Sequence, residues 1–310
     1  MLQIEPLQRG DWEAALELAL ARLDADRRAA QVAQGLRLLA GGTIDPGAVR
    51  VARANGGAII GVQVCVPLAG ASCLFWLPSA TDDVADALVQ ACLQECQTRG
   101  VKIAQAFIAP AELALAGPLL RQGFRHITSV HQLRHELRAV PSPIPSPLRL
   151  TSLPYVDRAD FARALQRTYH GTLDCPELNG QRTIEEIIAG HQAEGRFNPA
   201  RWWLAYEGDE PIGVLMLMEM IDGTTWDLSY VGIVPEKRRH GHGRTLVQHA
   251  LRYAHEQSAA RLIVAADARN VPAQRLYRSM RFEAGDDLEV LLRFFDSSTR
   301  DDGAGSTGER

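Results

Sequence analysis

Pro235-Glu236-Lys237-Arg238-Arg239-His240-Gly241-His242-Gly243-Arg244-Thr245-Leu246 joins a strand-like run, Thr225 to Val234, to a helix-like run reaching about Ala259. Pro235 stops the strand, because it has no N–H to give a neighbour. Gly241 and Gly243 open backbone angles closed to other residues and present no side chain to a ligand. A helix that starts here offers free N–H groups at its positive end, a combination suited to a pyrophosphate. Lys237, Arg238 and Arg239 add positive charge. Two other phosphate loops fail at named positions. A dinucleotide fingerprint wants a third glycine where Leu246 stands. A P-loop wants Gly-Lys-Ser/Thr, and Arg244 follows the second glycine. Taken alone, the turn reads equally as a ligand seat or as a plain strand-to-helix connection.

Downstream, Asn270-Val271-Pro272-Ala273-Gln274-Arg275-Leu276-Tyr277 follows a short buried strand, Leu262 to Ala266. Asn270 stands at a helix start, where its side chain caps or reaches a ligand. Tyr277 lies seven residues on, on roughly the same helix face. Upstream the order is strand 148–151, helix 156–170, helix 183–193 with Thr183 and Glu186 spaced as a capping box, strand 201–207, and strand 211–220. A last strand runs from Leu288 to Phe295. The first 138 residues repeat this order more weakly, which suggests a duplicated fold. Between the halves, Ala139 to Pro147 holds four prolines in a semi-stiff connector. Residues 297–310 are polar and read as a disordered tail.

Length and composition bound the rest. The chain has 310 residues, a prior for two domains. Its net charge of -4 lacks the basic surplus of a nucleic-acid binder. No run reaches the roughly 18 apolar residues of a membrane span, and no signal peptide is evident. Five cysteines without framework spacing point to reduced thiols in a cytoplasm. Cys92 and Cys96, four apart on one helix face, read as small buried side chains rather than metal ligands. His240 and His242 lack a third ligand at a convincing spacing, so no metal is expected.

Arg238-Arg239-His240-Gly241-His242-Gly243 after Val234-Pro235, followed by Asn270, Ala273, Leu276, Tyr277 and Phe282, resembles the GNAT superfamily of acyl-CoA N-acyltransferases. Arg281 departs from that pattern, standing where the family usually has glycine. The motifs cover about Asp227 to Phe282. The resemblance implies an α/β (α+β layered) fold: two tandem GNAT-like domains, each a mixed, mostly antiparallel sheet flanked by helices. On this reading residues 1–138 are a degenerate copy, 139–147 a linker, 148–296 the catalytic domain and 297–310 the tail. A tandem pair with one degenerate half resembles the arrangement of mycothiol synthase and its relatives. At the first half's phosphate turn, Pro78 to Asp83 has no glycine and two carboxylates, so conventional acyl-CoA binding is not expected there.

The resemblance also implies chemistry. Acetyl-CoA is the cosubstrate. Its contacts are expected at Gly232, Ile233, Val234, Arg238, Arg239, His240, Gly241, His242, Gly243, Arg244, Thr245, Asn270, Ala273 and Tyr277. Tyr277 would protonate the departing thiolate. Asp227 is the first candidate for the base and Glu219 the second. Tyr169, His170 and Glu177 lie by place near the acceptor, and Trp202, Trp203 and Trp226 are candidates to line its pocket; Trp202 and Trp203 face opposite ways along a strand, so at least one of those two should be core. The expected acceptor is a primary amine, a small molecule rather than a protein. The expected chain is a cytoplasmic monomer or homodimer without nucleic-acid, membrane or metal partners. The alternative is a non-catalytic acyl-CoA-binding module with the N-terminal half as an interaction surface.

Overall fold

The computed structural model describes residues 2–42, 44–55, 57–139 and 147–295. Most of the expected linker and all of the expected tail lie outside the described residues. The first half runs β1 (Gln3–Pro6), α1 (Trp12–Ala19), α2 (Ala25–Ala40), β2 (Val49–Arg53), β3 (Ile59–Leu68), β4 (Ser72–Phe75), α3 (Asp82–Thr98), β5 (Ile103–Ile108), α4 (Gly117–Arg121) and β6 (Arg125–Glu136). The second runs β7 (Leu148–Ser152), α5 (Arg158–Thr168), α6 (Ile184–Gln192), β8 (Trp202–Glu207), β9 (Glu210–Glu219), β10 (Thr225–Ile233), α7 (His242–Glu256), β11 (Arg261–Asp267), α8 (Val271–Ser279) and β12 (Glu283–Phe294). The first helix stops after Ala19, and Asp24 caps a new one by accepting the Arg27 N–H. The expected capping box forms between Thr183 and Glu186 at the start of α6.

All twelve strands join one sheet, in the order β1-β2-β3-β4-β5-β12-β6-β11-β10-β9-β8-β7. The order is symmetric about its centre, as a duplicated unit requires. Only β4–β5 and β10–β11 pair in parallel among the described strands. The centre holds an exchange that the sequence did not announce. β6, from the first half, pairs along the whole of β11, and β12, from the second, pairs with β5. Each strand carries apolar side chains into the other half's core. Leu133 and Leu137 are buried beneath α7 and α8, and Leu291 packs with the core of α3. Arg125–Glu136 and Glu283–Phe294 thus belong to one half by sequence and to the other by packing.

Helices cover both faces. α7 and α8 bury Leu246, Val247, Leu251 and Tyr277 against one face of the second half. α5 and α6 cover the opposite face over Trp202, Val214, Met216 and Met218.

Candidate active site

β10 and β11 pair over three residues only, Thr225–Asp227 against Arg261–Ile263. Beyond that point they part, leaving a slit whose β10 edge is Leu228 to Ile233. The Val234 N–H bonds the Ile212 carbonyl of β9 at 2.9 Å. Strand alternation therefore turns the amide groups of Ile233 and Val231 toward the slit, as a chain that pairs with β10 would need.

The turn seats one end of this slit. Gly241 is the N-cap of α7 with φ 84, and a Cβ there would meet nothing within 4 Å. Glycine is therefore required by its left-handed backbone, and the space above it is open. No side chain caps α7. The His242 and Gly243 amides have no protein acceptor among the described residues, so the positive end of the helix points outward unsatisfied. Adding a Cβ at Gly243 would bring it to 3.5 Å from Leu276 of α8. The residues present fit a bound pyrophosphate.

The expected cations divide in a way that spacing did not reveal. Lys237 turns away and pairs with Glu207 at 2.6 Å and Glu210 at 3.2 Å. Arg238 donates to the carbonyls of Ile233, Thr168, His170 and Gly171 at 2.7–2.9 Å. It ties the segment after α5 to the end of β10, and its charge is spent on backbone. Arg239, with φ 65, is exposed, as are His240 and Arg244. His242 is buried, 3.5 Å from Glu207. Thr245 donates its N–H to the Gly241 carbonyl. Asn270 caps α8 by accepting the Ala273 N–H at 3.3 Å. Gly232 serves packing: a Cβ there would stand 2.6 Å from the Tyr230 hydroxyl and 2.8 Å from Thr168.

The slit joins the two faces of the sheet. Tyr277 reaches it from the α7–α8 face, where its ring is buried against Phe282. Burial first, then the nearby Asp174, Asp227 and Tyr230, push its hydroxyl above the ordinary phenol range. Asp227 reaches it from the α5–α6 face. It is half-buried, with no hydrogen-bond partner among the described residues. Burial, with Glu194 second, raises its pKa to about 7. Glu219 is placed differently: Arg201 holds it at 2.7 Å and Arg196 at 3.2 Å, and these guanidinium groups lower its pKa. A carboxylate so paired has little affinity for an amine's proton, which leaves Asp227 as the base candidate.

Around Asp227 stand Tyr169, which the sequence marked by place, and Tyr230, Thr168, His191 and Glu194, which it did not. The Tyr230 hydroxyl is 2.7 Å from Thr168 Oγ1, and its ring is 5.2 Å from Tyr169. The Tyr169 hydroxyl is 3.2 Å from His191 Nε2, and His191 Nδ1 lies 3.1 Å from Glu194. A β-bulge between Asp227 and Tyr230 explains the omission. Three residues apart, they alternate to opposite faces in a regular strand, and the bulge returns both to the α5–α6 face. The tryptophans are core. Trp202 stacks on Phe161, Trp203 packs against His249 and Tyr253, and Trp226 lies under Arg201. None of the three is exposed enough to contact an acceptor. His170 contributes its carbonyl to Arg238. Glu177 pairs with Arg269 at 2.6 and 3.0 Å, which pins the α5–α6 loop to the end of β11. Asp174 and Cys175 hold the same loop through the N–H and carboxylate of Asp267.

Residues 165–282, the span holding the turn, the slit and Tyr277, match the Acetyltransferase (GNAT) family. This part of the chain is similar to the GNAT acetyltransferases. A mycothiol acetyltransferase from Catenulispora acidiphila is 28% identical over 182 residues, 56% of this chain and 55% of that protein. The chain thus matches about half the length of that relative. A GCN5-related N-acetyltransferase from Sphaerobacter thermophilus shares the fold at a TM-score of 0.66 and 18% identity, covering 94% of this chain and 95% of that one. A tandem GNAT protein from the clavulanic acid biosynthesis pathway does so at 0.55 and 15% identity, covering 95% and 98%. Both cover nearly the whole chain, so the likeness in fold extends to the first half.

In the first half, Arg22 reaches the corresponding turn. Arg22 donates to the carbonyls of Leu77 and Pro78 at 3.1 and 3.2 Å. Asp82 and Asp83 occupy the first turn of α3, where a phosphate would otherwise approach. No helix among the described residues is long and apolar enough to cross a membrane.

Proposed function

We propose that the second half transfers an acetyl group from acetyl-CoA to the primary amine of a small molecule, by direct attack. The observation that carries this reading is the slit between β10 and β11. It has an open, amide-lined helix start at one end, and Asp227 and Tyr277 face it from opposite sides of the sheet. Acetyl-CoA supplies the activated acyl group as a thioester. The acceptor enters from the α5–α6 face, where Asp227 takes the proton that an ammonium must lose before it attacks. A β10 amide facing the slit donates to the thioester oxygen as it gains charge. Tyr277 gives its proton to the sulfur as the carbon–sulfur bond breaks. A pKa of about 7 suits Asp227 to proton abstraction near neutral pH. The α5–α6 loop, pinned across the acceptor side by Asp174, Cys175 and Glu177, favours a small acceptor over a protein segment. The proposed steps use no metal, and free thiols accord with a cytoplasmic setting.

The test is release of free CoA thiol from acetyl-CoA with a panel of small primary amines. Thiol release with at least one amine is expected. Tyr277→Phe should then lower turnover at least about tenfold with little change in acetyl-CoA affinity. Tight CoA binding without thiol release across a broad panel would contradict the reading and identify a non-catalytic binding module.

A further inference from the structure

Four of the five cysteines lie in the first half, and all four are buried. Cys65 in β3 and Cys73 in β4 stand on the two arms of one hairpin, and Cys92 and Cys96 are one turn apart on α3, which packs over it. Cys65 Sγ is 2.9 Å from Cys73 Sγ and 3.6 Å from Cys96 Sγ. The three sulfurs all lie within 4.8 Å of one another, and Cys92 lines the same small cavity. Among the described residues, these thiols find hydrogen-bonding contacts only in each other. Thiolates bound tetrahedrally at about 2.3 Å put their sulfurs about 3.8 Å apart, within the range spanned by Cys65, Cys73 and Cys96. A hairpin clamped to a helix is also a chelating arrangement, since its ligands come from separate elements already held together.

The four thiols converge from three elements, β3, β4 and α3, inside an apolar core. Arg50 and Arg99, at the mouth of the cavity, are countered by Glu95 at 3.7 Å and 2.7 Å. Small buried side chains alone need no such convergence.

We infer that Cys65, Cys73 and Cys96, with Cys92 as the fourth sulfur, form a closed thiolate site for a thiophilic closed-shell cation, Zn2+ or Cu+. Binding releases the thiol protons to solvent and oxidises nothing. The site staples the hairpin to α3 in the first half. It is separate from the slit between β10 and β11, so it stands or falls independently of the proposed activity.

The test uses the full chain, purified under reductant, stripped with a chelator and kept anaerobic. Co2+ serves as the spectroscopic probe, followed by displacement with Zn2+, and Cu+ is titrated separately. One equivalent per chain is expected, with a thiolate-to-metal charge-transfer band, a raised Tm, and protection of four thiols but not Cys175 from alkylation. Binding of Co2+ and Zn2+ assigns the site to zinc-like ions, and tight binding of Cu+ alone assigns it to copper. Cys175→Ser should leave binding unchanged, while Cys96→Ser should abolish the band and the protection. Alkylation of the unaltered chain keeps the test valid should Cys96→Ser fail to fold. No stoichiometric metal, a band that survives Cys96→Ser, or an isolated Cys65–Cys73 disulfide without metal would overturn the inference.

Discussion

Asp227 combines a catalytic prospect with a penalty to the fold. Its carboxyl is held at about 7 when folded, against roughly 3.9 for an unfolded aspartate. The folded state therefore binds this proton more tightly. The group favours folding below about pH 4, loses that contribution as pH rises toward 7, and opposes folding fully above 7. Asp227→Asn should remove the penalty. Urea unfolding at pH 8 should show the variant more stable than the parent by up to about 4 kcal/mol, with the difference vanishing near pH 4. The same variant should lose about 100-fold in turnover and the rise of rate with pH centred near 7. Equal stabilities at pH 8 would mean that Asp227 is not held in its raised state. The sequence offered Asp227 and Tyr277 as candidates through their places in the motif pattern, and both face the slit. It did not reach Tyr230, whose face depends on a bulge, nor the two arginines that hold Glu219. It could not see that Lys237 and Arg238 turn their charges into the protein, since each partner is remote in sequence or is backbone.

At the scale of elements, α8 ends in a Schellman motif without its usual glycine. The Phe282 N–H bonds the Tyr277 carbonyl at 3.1 Å and the Arg281 N–H bonds that of Arg278 at 3.0 Å. Arg281 takes φ 65 to make this possible. The corresponding end of α4 uses Gly123 at φ 88, with Phe124 bonded to Leu119. The departure noted at Arg281 thus left the cap geometry intact and added backbone strain, about 1–2 kcal/mol for a left-handed residue with a Cβ. Arg281→Gly should remove the strain while giving back part of the gain as unfolded-chain entropy, for a net stabilisation of about 0.5–1 kcal/mol. Urea midpoints at equal m-values check this, and a lowered midpoint would contradict it. Caps, glycine turns and amphipathic helices were legible because their rules act within a few residues. The first residues of β12, Glu283-Ala284-Gly285-Asp286-Asp287, did not read as strand, since acids and glycine are poor strand formers. They are extended because β6 lies alongside, which no local pattern encodes.

The whole molecule is bound together by that exchange. The tandem repeat was readable as two similar element orders. The crossing of β6 and β12 was not, because a strand's sequence records which face is buried and not which neighbour it has. Residues 147–310 expressed alone would leave the β11 edge unpaired and lose the burial of Leu133 and Leu137, roughly 1.5–3 kcal/mol each. That fragment is expected to be insoluble or unable to bind CoA, and co-expression with residues 1–139 should restore both. A soluble fragment with undiminished CoA affinity would show that the exchange is dispensable. The central claim is that one seat for acyl-CoA exists per chain, at the turn before α7. Calorimetric titration of CoA into the full chain and into Gly241→Asp tests it most directly. One site per chain is expected, and no detectable binding in the variant, where a side chain and a negative charge stand at the open helix start. Two sites in the parent chain, or retained tight binding in Gly241→Asp, would contradict it.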